Sequence, residues 1–147
     1  MEILRINESD IEECANIFVE AFNAEPWNDN WTIESAHRRL QDIYKSPNFV
    51  GVKYTENNEI FGALFGNCEE WFEGRQFNIK EVFVSKKIQG KNIGSKLINS
   101  AENEVKKLGV DFIFLSTQNN NLKNFYLKHD FEEDSSLCIM SKRIRNK

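Results

Sequence analysis

No CxxC pair and no cysteine beside a histidine occurs anywhere in the 147 residues. The three cysteines, Cys14, Cys68 and Cys138, stand far apart and are odd in number. That pattern argues against a disulfide framework and a zinc site, so no metal is expected and the thiols are read as free and buried. The N-terminal stretch MEILRINESDIEE has no apolar signal core, and no later run reaches membrane-spanning length. A cytoplasmic location and no membrane partner are the expectations. Positive charge is not in surplus either. The net charge is −4, which gives a nucleic-acid partner no electrostatic support. Repeats, low-complexity segments and linkers are absent, so residues 1–147 are expected to form one domain with a real core.

What is present alternates between strand-like and helix-like stretches. EILRIN reads as a strand. In SDIEECANIFVEAFN, Ile11, Ala15, Phe18, Val19 and Phe22 mark one helical face, with Ser9 and Glu12 spaced as a cap. Thr32 can cap a second helix before Pro47. NFVGVKYT and EIFGALFGNCEEW flank the turn ENNE as a hairpin, and QFNIKEVFV is a further strand. IGSKLINSAENEVKKLG is amphipathic and ends at Gly109. VDFIFLST reads as a strand covered on both faces, NNLKNFYLKHD as a short helix, and SLCIMSKRI as a closing strand. The order β-α-α-β-β-β-α-β-α-β predicts a layered α/β domain with a mixed sheet.

Between two of these elements lies EVFVSKKIQGKNIGSKL, where a strand enters a basic, glycine-bearing turn and then a helix. A helix N-terminus offers unpartnered amides and the positive end of a dipole, so such a turn suits an anion. It is not a Walker A loop, because only three residues separate Gly90 and Gly94 and Ser95 precedes Lys96. It is not a dinucleotide fingerprint, because the third glycine is missing.

Gln89, Gly90, Lys91, Asn92, Ile93 and Gly94 resemble the Q/R-x-x-G-x-G/A signature of the GNAT superfamily of N-acetyltransferases, with Asn92 in place of the first glycine. NNNLKNFYLKHDF resembles a second element of that family: Asn119 precedes Tyr126 by seven residues, Phe131 fills the terminal place, and Asp130 replaces a glycine. KEVFVSKK resembles the family strand before the turn. The resemblance spans essentially the whole chain. It implies a mixed, mostly antiparallel central sheet with helices on both faces. It implies acetyl-CoA as the acetyl donor, its diphosphate on amides from Gln89 to Ser95 with charge from Lys91, its pantetheine arm along the backbone of Phe83 and Val84, and Asn119 hydrogen-bonded to that arm. Lys86, Lys87 and Lys96 could equally be a solvated face.

Direct attack on a thioester needs a neutral amine and benefits from a proton for the departing thiolate. A primary amine titrates near ~10.4, so roughly one molecule in a thousand is free base at neutral pH. Glu81 is the candidate base, acting through water, and Tyr126 the candidate acid. Asn78 marks another place where some relatives carry a glutamate, which leaves the base open. His129 beside Asp130 lacks a nucleophile motif, and adjacent residues seldom face each other productively.

All three tryptophans fall beside carboxylates, in EPWNDNW and CEEWFEG. Glu25, Trp27, Asp29, Trp31, Glu70 and Trp71 are therefore candidate acceptor-binding residues for a small cationic amine. The alternative reading of these residues is that the tryptophans plug the core and the acids are solvated. The PWN…W stretch resembles the aminoglycoside-acetyltransferase-like branch. Two alternatives stay open: acetylation of a protein lysine or N-terminus, and a non-catalytic CoA-binding module, the latter supported by the departures Asn92 and Asp130. The sequence does not fix the oligomeric state, and a homodimer is among the assemblies it allows.

Overall fold

A computed structural model of the chain describes residues 1–88 and 90–145. Gln89 of the anion turn lies outside the described residues. Two compact units result, Met1–Ser116 and Thr117–Lys147.

The first unit runs β1 (Glu2–Arg5), a 3-10 turn (Glu8–Asp10), α1 (Ile11–Phe22), α2 (Ile33–Tyr44), β2 (Phe49–Glu56), β3 (Glu59–Trp71), β4 (Gly74–Val84), α3 (Ile93–Lys106) and β5 (Val110–Phe114). The strands form one sheet in the order β1-β2-β3-β4-β5. The first three pairings are antiparallel and β4–β5 is parallel. The β2–β3 turn is closed by Asn57 and Asn58 at φ 52° and 63°. Two left-handed residues in a row match the twist of the strands they join, and asparagine tolerates that conformation best among residues with a side chain. The parallel pairing needs a long crossover, which α3 supplies.

Alternation along the strands separates two apolar layers. Ala63, Phe65 and Phe83 join Ile11, Ala15, Phe18, Phe22, Ala36 and Leu40 in a cluster beneath α1 and α2. The other face belongs to α3: a Cβ placed on Gly62 would lie 3.0 Å from Ile93 Cγ2 and 3.3 Å from Leu97 Cδ1. Helices thus cover both faces of the sheet, as expected.

The start of α1 differs from the expected cap. Asn7 accepts from the Ser9 amide, and the Asp10 carboxylate accepts from the Asn7 amide at 2.9 Å, so the box is Asn7–Asp10, on the 3-10 turn that leads into α1 and two residues earlier than Ser9–Glu12. Asp10 also takes the Lys53 ammonium at 2.7 Å, both side chains only 12% exposed, and that partner holds the earlier box in place. Thr32 caps α2 with Ser35, as expected. Cys14 and Cys68 are buried. Burial first, then the charges of Asp10 and Glu13 against Lys53, pushes the Cys14 thiol up to about 12.

The second unit holds α4 (Asn121–Leu127), capped by Asn120, whose side chain accepts from the Leu122 amide at 2.9 Å. No strand follows among the described residues. The expected closing strand at residues 136–144 is not formed, and Leu137, Ile139, Met140 and Ile144 are 73–87% exposed. A strand needs a neighbour to satisfy its backbone, and this run pairs with none among the described residues. Cys138 lies within it and is exposed, against expectation. β5 departs too: Phe112 is 55% exposed, so its faces are not both covered.

Candidate active site

The site is built around the second half of β4. Its register with β3 passes from Phe65↔Glu81 to Gly66↔Ile79, so Lys80 is an extra residue in a bulge. Gly66 makes the bulge possible: a Cβ there would sit 2.5 Å from the Asn78 carbonyl oxygen. Bulges re-aim side chains, and the residue re-aimed beside this one is Glu81. Among the described residues β5 pairs with β4 only over Arg75–Asn78. From Ile79 to Val84 the β4 backbone pairs with no strand on that side among the described residues.

Glu81 lies on the α1/α2 face. Its neighbour on that face, Phe83, is buried among Phe18, Phe22 and Phe65, with ring centroids 5.4 to 6.2 Å away. The Phe83 side chain is therefore core, and only its backbone can meet a ligand. Arg39 Nε of α2 donates to Glu81 Oε2 at 3.0 Å, with the arginine side chain 39% and the glutamate 15% exposed. Burial pushes the Glu81 carboxyl up, the Arg39 charge and hydrogen bond pull it down, and Asp29 raises it further, for a net rise above 4.5. Arg39 was not singled out in the sequence. Its partner is 42 residues away, and no local pattern marks such a pair.

Asp29 belongs to the loop between α1 and α2. The Asn23 side chain pins that loop by donating to the Trp31 carbonyl at 2.9 Å and accepting from the Trp31 amide at 2.8 Å. Trp31 Nε1 donates to Asp29 Oδ2 at 3.0 Å. Trp31 meets Phe18 edge-on at 4.8 Å, and Trp27 meets Phe22 at 5.0 Å. Both tryptophans are half-buried, so they plug the core while leaving part of each ring outward. Glu25 and Asp29 are exposed. The loop and Glu81 come together; Glu70 and Trp71 do not join them. Trp71 pairs with Gly74 at the far end of the β3–β4 hairpin, roughly 20 Å from Glu81 at about 3.3 Å per strand residue. Glu70 there accepts from Arg75 at 2.9 Å.

The anion turn leads into α3. Asn92 takes the left-handed conformation, φ 53° and ψ 41°, and gives the helix no side-chain cap; no acidic residue lies in the first turn. α1 and α2 both carry acids in theirs. Ile93 is buried against the sheet and contributes only backbone. Lys91 is held by Glu56 of β2 at 3.0 Å, and Glu56 also accepts from the Tyr54 hydroxyl at 2.7 Å. These two contacts hold the Glu56 carboxyl below its ordinary range, Tyr54 contributing most. A cavity of about 120 Å³ beside the end of β4 is rimmed by Glu13, Glu20, Glu59 and Lys87. That acidic rim suits a cation and leaves the turn as the place for an anion.

In the second unit Asn119 is exposed. The Tyr126 ring is half-buried, 5.1 Å from Phe125 and 5.6 Å from Phe131. Asp130 has φ 66°. Both residues that replace motif glycines, Asn92 and Asp130, thus keep a left-handed backbone. Among the described residues no group of three or more His, Cys, Asp or Glu is placed to hold a metal. None of the helices is long and apolar enough to cross a membrane among those residues.

Comparison with known proteins agrees with this geometry. A search of curated proteins finds no match. Solved structures with the same fold include a possible acetyltransferase from Clostridium difficile 630, 17% identical over 98% of both chains with a TM-score of 0.84. An aminoglycoside acetyltransferase from an uncultured soil metagenomic sample, in complex with sisomicin, is 18% identical over 98% of this chain and 96% of that one, with a TM-score of 0.75. Glucosamine-6-phosphate N-acetyltransferase from Arabidopsis thaliana is 22% identical over 98% of both chains, with a TM-score of 0.70. The family model of the acetyltransferase (GNAT) domain matches residues 13–142, across both units, and the chain belongs to that family.

Proposed function

We propose that this chain moves the acetyl group of acetyl-CoA to the primary amine of a small cationic molecule by direct attack, as a single catalytic domain acting in the cytoplasm. The observation that carries the reading is the second half of β4, which among the described residues pairs with no strand on its β5 side, with Glu81, its side chain 15% exposed, within it and the N-terminus of α3, led by left-handed Asn92, just beyond its end. The residues present suit the donor. The backbone edge of Phe83 and Val84 away from β3, which meets no strand among the described residues, can pair with an extended amide-bearing arm. The amides of Lys91 to Ser95, with Gln89 and Gly90 before them, would receive the diphosphate, with Lys91 adding charge. Asn119 would hydrogen-bond the arm. Acetyl-CoA, when bound, supplies the activated thioester.

Glu81 takes the ammonium proton through water, and its raised affinity for protons brings it closer to the amine it must serve. The amine nitrogen then bonds to the carbonyl carbon as the carbon–sulfur bond breaks. Tyr126 holds a proton for the departing thiolate. Asp29 and Glu81 supply negative charge for a cationic acceptor, and the outward edges of Trp27 and Trp31 supply faces for it. Glu25 would extend the acidic rim. Two of the similar structures act on amino sugars by name, which supports an acceptor of that class. Asn92 and Asp130 take positive φ, a backbone that glycine adopts readily, which supports the catalytic reading over the non-catalytic one. Thiol release from acetyl-CoA across a panel of amines tests the proposal. Release that depends on a small amine is expected, and binding of acetyl-CoA with no turnover of any amine would overturn it.

A further inference from the structure

We infer that Arg39 is a positioning residue for the acetyl transfer, its guanidinium fixing the Glu81 carboxylate by one oxygen and leaving the other to receive the proton. The inference rests on the function proposed above and adds to it a residue from a different element. Arg39 comes from the middle of α2, where Ala36 and Leu40 on the same side are buried. Those neighbours fix the face of the helix that Arg39 leaves, so its side chain extends from the core towards β4. Its Nε meets Oε2 at 3.0 Å. Among the described residues Oε1 of Glu81 accepts no hydrogen bond, and it is the oxygen left for a water or an ammonium.

The surroundings of Glu81 make the arginine more than a surface partner. α1 presents Phe18 and Phe22 to this stretch of β4, and β3 presents Phe65. These give no charge and no hydrogen bond to a carboxylate. The charged groups that reach Glu81 are Arg39 from α2 and Asp29 from the α1–α2 loop, and they act in opposite directions. Without Arg39, burial and Asp29 would both favour the protonated carboxyl, which cannot accept a proton. The guanidinium also cannot lose its own proton in the working range, so it is a fixed charge that does not compete as a base. Both side chains are far from fully exposed, which lets the pair resist screening better than a surface pair.

The test uses Arg39→Gln and Arg39→Lys in the full chain, with two readouts. The first is the pH dependence of kcat/KM for the best amine. The second is a carbon-13 titration of the Glu81 carboxyl in the free protein, assigned by its disappearance in Glu81→Gln. In Arg39→Gln the acid limb and the carboxyl midpoint should both move up by at least one pH unit. The kcat should fall at least tenfold at neutral pH, with the KM for acetyl-CoA within about twofold. Arg39→Lys keeps the charge and should return most of the midpoint shift. If Arg39→Gln does not fold, Arg39→Met keeps the aliphatic stem and is read the same way. A carboxyl midpoint unmoved in the folded variant overturns the inference, whether or not any amine is turned over. Absence of amine turnover in the unaltered protein would instead overturn the function and leave the titration to decide the role of Arg39.

Discussion

Glu81 and Tyr126 carry the two proton movements of the proposed reaction, and each can be separated from its structural duty by one atom. The folded Glu81 carboxyl binds its proton more tightly than an unfolded one, because burial outweighs the pull of Arg39. A raised carboxyl gives stability that is present at low pH and lost as the pH climbs through the folded value. Glu81→Gln removes that loss. The melting temperature of the variant relative to the unaltered protein should therefore rise as pH increases upward from the ordinary 4.5, then level off, while amine turnover falls. A difference in melting temperature that does not change with pH would mean Glu81 is not held as described. Tyr126→Phe keeps the ring contacts to Phe125 and Phe131, so folding should survive. Loss of a positioned proton donor should cut turnover by about 100-fold with little change in acetyl-CoA affinity. Single-turnover and calorimetric measurements on the variant would show an undiminished rate if the ring is only structural.

At the scale of elements, the anion turn depends on backbone shape more than on side chains. Asn92 holds φ 53° and its side chain does not cap α3, so its backbone conformation, not its side chain, shapes the turn. Gly94→Val places a branched side chain where the backbone must approach a diphosphate. Acetyl-CoA should bind at least tenfold more weakly, about 1.4 kcal/mol, while Asn92→Gly should leave affinity equal or slightly better; calorimetry on both decides. Unchanged affinity in the valine variant would remove the turn from the site. Helices and hairpins were legible from sequence because their signals are local: the apolar face of α1, Thr32 before α2, the paired asparagines after β2. The capping box before α1 was misplaced by two residues because Asn7 and Asp10 have the same spacing as Ser9 and Glu12, and Lys53, distant in sequence, favours the earlier pair. The bulge beside Glu81 had a local trace, Gly66 within a strand, but its register against Ile79 could not be read.

For the molecule as a whole, what escaped the sequence is what depends on contacts between distant segments. Arg39 and Glu81 illustrate this, and so does residues 136–144, whose apolar composition suits a strand although nothing among the described residues pairs with it. The tryptophans show it most clearly. Composition placed Trp27, Trp31 and Trp71 in one acceptor wall, because each stands beside acids. The fold keeps Trp27 and Trp31 with Glu81 and sends Trp71, with Glu70, to the other end of the long hairpin. The proposed acceptor site is accordingly the loop between α1 and α2, and its chemistry can be tested as a field and as a position. Asp29 is exposed, so its attraction for a cation is screened by salt. A kinetic screen of aminoglycosides, polyamines and lysine peptides at low and high salt should find a multiply charged small amine as the best acceptor, with kcat/KM falling as salt rises. Asp29→Asn should raise the KM for that amine several-fold and flatten the salt dependence, since it removes the charge that salt screens. Glu70→Gln and Trp71→Ala, made at the hairpin end, should leave both unchanged. A peptide as the best acceptor, or an amine whose KM responds to Trp71 and not to Asp29, would move the acceptor site away from this loop.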